Sequence, residues 1–441
     1  MPATPFDSAH LHQLFPTGDT ARLFSDTAEI RAMMLVEGTL ASVQAAHGVI
    51  PEVSAAAIHR ASLEIQIDPG ALANATGQNG VTTPALVSAF REAMQAPEHG
   101  QYLHWGATSQ DIQDTGLMLR LRQALGQMEG QLRETLTGLG RLAATHADTP
   151  MAARTYGQHA TPTSFGAQVA SWGWPFIGAL EALPELQKSC LLVSLSGAAG
   201  TASVLGPDPA AIRADLAAKL ALGDPGRSWH TDRTPILRIA DWMTRATLAA
   251  GKMGQDLVLA VQSGIGEVTL GGSGASSTMP QKQNPVGPSA LVALAAHARG
   301  LNATLQGTAV HAQQRDGAAW FTEWLTLPQL VLTCAAALSH AANLAQSLQP
   351  NAAAMQATLD STGGLILAEA LSFALAKEMP RPEAQAATKK LCAQARETGE
   401  PLEHIARAAF PGLPSDLFDT SRQLGTAPAE ARAFAQAVSQ I

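Results

Sequence analysis

The run "DTGLMLRLRQALGQMEGQLRETLTGLGRLAATHA" (residues 114–147) places Leu117, Leu121, Leu125, Met128, Leu132, Leu136, Leu139 and Leu142 three or four residues apart. That interval returns apolar side chains to one face of an α-helix. The spacing predicts a helix of about thirty residues, roughly 45 Å long. Upstream, Thr108 and Ser109 can cap its start, and Asp111 falls near the positive helix end. A second pattern runs through Ile236, Ala240, Met243, Ala246, Ala250, Met253, Leu257, Val261 and Ile265, and a third from near Ser289 through Leu291, Leu294, Ala298, Leu301 and Leu305. Such lengths exceed the usual ~10–14 residues and point to an extended bundle. No segment shows strand alternation, so the expected fold is all-α. Residues 1–110 read as an N-terminal helical domain, 111–350 as the central long-helix bundle and 351–441 as a C-terminal helical domain.

Composition narrows the function. The 441 residues are 46% hydrophobic and 15% charged, with a net charge of −8. No excess of Lys and Arg exists to neutralise phosphates, which argues against nucleic acid as a partner. The three cysteines, Cys190, Cys334 and Cys392, fit neither a zinc spacing nor a disulfide framework, so a reducing cytoplasm is expected. The N-terminus lacks a basic start followed by an apolar run, unlike a signal peptide. No stretch of about 18 uncharged apolar residues appears, so no membrane span is expected.

Three segments carry chemistry. In "GGSGASSTMPQKQNPVGP" (271–288), glycines permit opening and closing, while Pro280 and Pro285 stiffen the stretch that bears Lys282 and Asn284. "HWGATSQD" (104–111) gathers His104, Thr108, Ser109 and Gln110 beside a helix N-terminus, a seat for a carboxylate. "RTYGQHATPTSFG" (154–166) offers Arg154, Tyr156, Gln158 and His159 and is expected to enter a helix through Pro162.

Together these segments resemble the fumarase/aspartase superfamily of lyases. Its loop pattern G-S-S-x-M-P-x-K-x-N-P is matched by Ser276, Ser277, Met279, Pro280, Lys282, Asn284 and Pro285, with Ala275 in place of the leading glycine. "HWGATSQD" resembles the H-x-G-x-T-S-x-D segment of the adenylosuccinate lyase branch. "ADTPMAARTYGQHATP", "WHTDR", "GEV" and "WFTEWLTLP" resemble, in the same order, segments of the bacterial 3-carboxy-cis,cis-muconate cycloisomerase branch.

The resemblance implies a homotetramer built on long helices, with each active site shared between subunits, and no metal or organic cofactor. It implies addition and elimination next to a carboxylate of a tricarboxylate substrate. Ser276 would transfer the proton, and Lys282 and Asn284 would stabilise the aci-carboxylate. Arg22, His104, Thr108, Ser109, Gln110, Arg154, Tyr156, Gln158, His159, Ser277, Met279 and Arg315 would line the substrate. Departures are Tyr156 for the histidine of R-T-H-G, Gln281 and Gln283 around Lys282, and "HAQQRDGAAW", which keeps Arg315 without an acidic–histidine pair. The alternatives are a carbon–nitrogen lyase, such as an adenylosuccinate-lyase-like enzyme, and a non-catalytic crystallin-like protein.

Overall fold

The computed structural model describes residues 4–271, 274–275, 279 and 282–441. The fold is all-α, with seventeen α-helices and short two-stranded sheets among the described residues. The six longest are labelled α1 (Asp26–Ala46), α2 (Ser109–Thr145), α3 (Phe165–Cys190), α4 (Thr234–Ala260), α5 (Val286–Gln306) and α6 (Gly317–Ser347). In α2, at 37 residues the longest, Leu121, Leu125, Met128, Leu132 and Leu139 are wholly buried, so the leucine face is core. The second pattern holds through Leu257, but α4 stops at Ala260, and Val261 and Ile265 lie in the turn beyond it.

The chain forms two compact units. One comprises residues 1–131, 179–248 and 294–339, the other 132–178, 249–293 and 340–441. The first has an apolar cluster in which Met33, Met34 and Leu40 of α1 pack with Ile58, Phe90, Leu119, Val193 and Ile212. Its buried charge is organised around Arg233, which is clamped between Asp114 (2.7 and 3.0 Å) and Glu323 (2.8 and 2.7 Å) and lies over the Trp229 ring at 4.8 Å. Burial opposes the guanidinium charge, but the two carboxylates overcome that and raise its pKa. This is how "WHTDR" and "WFTEWLTLP" meet: the arginine of one holds the glutamate of the other.

The second unit holds the sheets. β1 (Pro150–Thr155) and β2 (Gln158–Ser164) form an antiparallel hairpin, β3 (Val268–Thr269) pairs with β6 (Gln349–Pro350), and β4 (Gly274–Ala275) with β5 (Gln283–Asn284). The hairpin corrects the expectation of a helix entered through Pro162. Pro162 faces Ala152 in β2, where a two-stranded ribbon tolerates its missing N–H, and α3 starts only at Phe165. Ser164 caps that helix, its Oγ accepting from the Ala167 N–H at 3.1 Å.

By length and composition α6 could cross a membrane, and 72% of its most apolar stretch is buried inside the protein. Its apolar character is accounted for by core packing.

Candidate active site

In the first unit, Asp111 organises the N-terminus of α2. Its carboxylate is wholly buried. Oδ1 accepts from the Ser196 N–H (2.9 Å), Ser194 Oγ (3.2 Å) and His230 Nε2 (2.8 Å), and Oδ2 from the N–H groups of Gly197 (2.9 Å) and Thr108 (3.1 Å). The Thr108 contact is half of a capping box, a side chain in the first turn reaching back to the cap's N–H. The other donors tie residues 194–197 and His230 to the same point. Gly106 makes the entry possible: at φ +73° a Cβ there would lie 2.7 Å from the Val204 carbonyl oxygen.

This scaffold presents Arg315. Its Nε donates to Gln110 Oε1 at 3.0 Å, and Nη2 to Thr108 Oγ1 at 3.1 Å and to the Ala198 carbonyl at 3.2 Å. All three acceptors are neutral, so no carboxylate among these contacts cancels the guanidinium charge. A half-buried cation beside a helix N-terminus is an anion seat. Gln110 serves as a brace: it is wholly buried, and its Nε2 donates to the His230 carbonyl at 2.9 Å, so both ends of the amide are engaged. Ser109 is half-buried.

His104 stands in the left-handed region at φ +61°. Its Nδ1 meets Oε1 of the buried Glu37 at 2.6 Å, leaving Nε2 for a ligand. Burial works against protonation, but the Glu37 charge and hydrogen bond outweigh it, so the imidazole pKa is raised. Arg22 makes an exposed pair with Asp19 at 3.0 Å.

In the second unit, the hairpin tip is a two-residue turn with φ +51° at Tyr156 and +73° at Gly157, the sign pattern of a type I′ turn. Tyr156 is fully exposed, and Gln158 and His159 are exposed beside it. Arg154 is occupied: Nη1 donates to Glu267 Oε2 at 2.9 Å and Nη2 to Oε1 at 2.8 Å, with the carboxylate almost wholly buried.

The arms of the signature loop pair as Gly274↔Asn284 and Ala275↔Gln283. Lys282 is exposed just before β5, its N–H bonded to the Met279 carbonyl at 3.0 Å, Asn284 is half-buried and Met279 exposed. Ser276 and Ser277 lie outside the described residues. Among the described residues no cluster of three His, Cys, Asp or Glu side chains could hold a metal ion.

Sequence reasoning thus found Thr108, Gln110 and Arg315, which the structure brings together. It missed the acids that set the geometry: Glu37 under His104 and Glu267 under Arg154. Only Glu267 left a signal, as the middle residue of "GEV".

A family model described as Lyase matches residues 18–300. The 3-carboxy-cis,cis-muconate cycloisomerase of Pseudomonas putida is 38% identical over 397 residues, covering 87% of this chain and 93% of that protein. Nitrosuccinate lyase of Streptomyces davaonensis is 34% identical over 425 residues, covering 92% and 89%. The crystal structure of the 3-carboxy-cis,cis-muconate lactonizing enzyme from Pseudomonas putida matches with a TM-score of 0.91 at 33% identity, over 98% of this chain and 99% of that one.

Proposed function

Because this chain belongs to the fumarase/aspartase superfamily of lyases, we propose that it closes 3-carboxy-cis,cis-muconate to 4-carboxymuconolactone, a step in the catabolism of protocatechuate. A carboxylate oxygen of the substrate forms a new C–O bond to one alkene carbon. The alkene electron pair moves to the neighbouring carbon and into its carboxylate, giving an aci-carboxylate. Ser276 then delivers the proton to that carbon, and Lys282 and Asn284 balance the charge that develops on the carboxylate oxygens. Arg315, held by Thr108 and Gln110, seats a second carboxylate, and His104 and Ser109 complete that side. The acting species is a homotetramer with sites shared between subunits, in the cytoplasm.

The observation that carries this reading is Tyr156 at the hairpin tip, where the superfamily's R-T-H-G pattern has a histidine. Expelling an amine or hydroxide calls for a general acid. A carboxylate, whose conjugate acid has a pKa of about 4, leaves a lactone unprotonated and attacks already ionised in the closing direction. Such a site can use the position for shape. A second reading, a carbon–nitrogen lyase acting on a polycarboxylate, is favoured by the match to nitrosuccinate lyase.

Ultraviolet absorbance separates the two. Lactonisation consumes the conjugated diene of 3-carboxymuconate, so its absorbance should fall with wild-type protein and persist with Ser276→Ala. No loss with the wild type, together with formation of a new conjugated alkene from an amino- or nitro-substituted succinate, would establish the second reading instead.

A further inference from the structure

Glu267 is fixed on several sides. Its N–H donates to the Ala260 carbonyl at the end of α4 (3.0 Å), and its carbonyl accepts from the Asn351 N–H (2.9 Å). The next residue begins β3, locked against β6, and β4 of the signature loop follows from Gly274. From this root the Glu267 carboxylate, 1% exposed, reaches the hairpin and takes both Nη groups of Arg154.

Little else holds that tip. The β1–β2 register is irregular between Ala152 and Arg154, and residues 154–159 are exposed. A cavity of about 330 Å³, lined by Met151, Phe165, Trp172, Leu259 and Met355, lies against Arg154 and Glu267, so solid packing does not fix their positions. Turning both Nη groups onto a substrate carboxylate would take them off Glu267 and strand a buried charge.

We propose that Glu267 is a positioning residue, which sets the hairpin tip against the root of the signature loop through Arg154, and that Arg154 answers Glu267 rather than substrate. This rests on the cycloisomerase reading for its kinetic test alone. Two parallel N–H···O bonds fix direction as well as distance. Displacing catalytic segments by about 1 Å costs on the order of 100-fold in rate.

The test compares Glu267→Gln, Glu267→Ala, Arg154→Ala and the double alanine variant, all as full-length assembled protein, on 3-carboxymuconate. Glu267→Ala and Arg154→Ala should each lower kcat/KM by roughly 100-fold. The double variant should be no worse than the poorer single one, because both remove the same contact. Glu267→Gln, which keeps the shape and one acceptor, should fall between these variants and wild type. A lower KM for Glu267→Gln, or a far larger loss for Arg154→Ala than for Glu267→Ala, would mean that Arg154 binds substrate and would overturn the proposal.

Hydrogen exchange supplies a readout free of the substrate assignment. Amides of residues 153–160 should exchange at least about tenfold faster in Glu267→Gln than in wild type, with the helices unchanged. Equal exchange would overturn the proposal. Absence of wild-type turnover, with the exchange difference present, would count only against the substrate.

Discussion

At His104 two effects oppose each other: burial disfavours the imidazolium, while the buried Glu37 carboxylate 2.6 Å away favours it and prevails. The folded-state pKa therefore lies above the unfolded value of 6.5. A group shifted this way adds stability in full below its unfolded pKa and loses it as pH rises through the folded one. Wild type should thus exceed His104→Gln in melting temperature most below the unfolded pKa of 6.5, with the advantage shrinking as pH rises above it. Scanning calorimetry of both proteins across that range checks it. An advantage that grew with pH would show that the imidazole is held neutral. Gly106, two residues on, makes the opposite kind of contribution: it donates nothing, but any side chain there would strike the 204 backbone and move Thr108 away from Arg315.

Among the elements, the β1–β2 hairpin shows best what pattern reading can and cannot reach. The leucine spacing of α2 and the alanine-rich spacing of α4 and α5 were legible because a helix repeats its buried face every turn. The end of α4 was less so, since Gly264 and Gly266 adopt positive φ beyond Ala260 and the apolar rhythm runs on through the turn. The hairpin was illegible. "PMAART" and "QHATPTS" lack the alternation of strands, and a tyrosine at φ +51° is not a residue that announces a type I′ turn. The pairs that position the site were hidden for another reason: Arg154 and Glu267 are 113 residues apart, and His104 and Glu37 67 apart, so no local spacing connects them. What the sequence did carry was the identity of the tip residue, and the structure leaves Tyr156 exposed. Used for shape, its ring matters and its hydroxyl does not. Tyr156→Phe should therefore keep kcat/KM for 3-carboxymuconate within about threefold of wild type. A loss of about 100-fold or more with binding intact would identify the phenol as a general acid. The leaving-group argument would then fall, and a lyase expelling an amine or alcohol would be the better reading.

For the molecule as a whole, Thr108 and Arg315 belong to one compact unit of the chain, and Arg154 and Lys282 to the other. Near the start of α6, Phe321, Trp324 and Leu325 are exposed at helical spacing, an apolar surface suited to contact with another copy. If each site takes its loop from one subunit and its Arg315 from another, two inactive variants can repair each other. Ser276→Ala removes the proton-transfer group, and Arg315→Ala removes the cation held by Thr108 and Gln110. Neither should be active alone. In tetramers reassembled from equal amounts of the two, the loop-donating chain carries an intact Ser276 in half of the sites. The arginine-donating chain is intact in half of those independently, so about a quarter of all sites contain no altered residue. Dissociation in mild denaturant, reassembly of the mixture and native mass spectrometry would establish that mixed tetramers form. Their turnover should then approach about 25% of the wild-type value. Mixed tetramers without recovered activity would place Ser276 and Arg315 of each site on a single chain, because every such site would then carry one defect or the other.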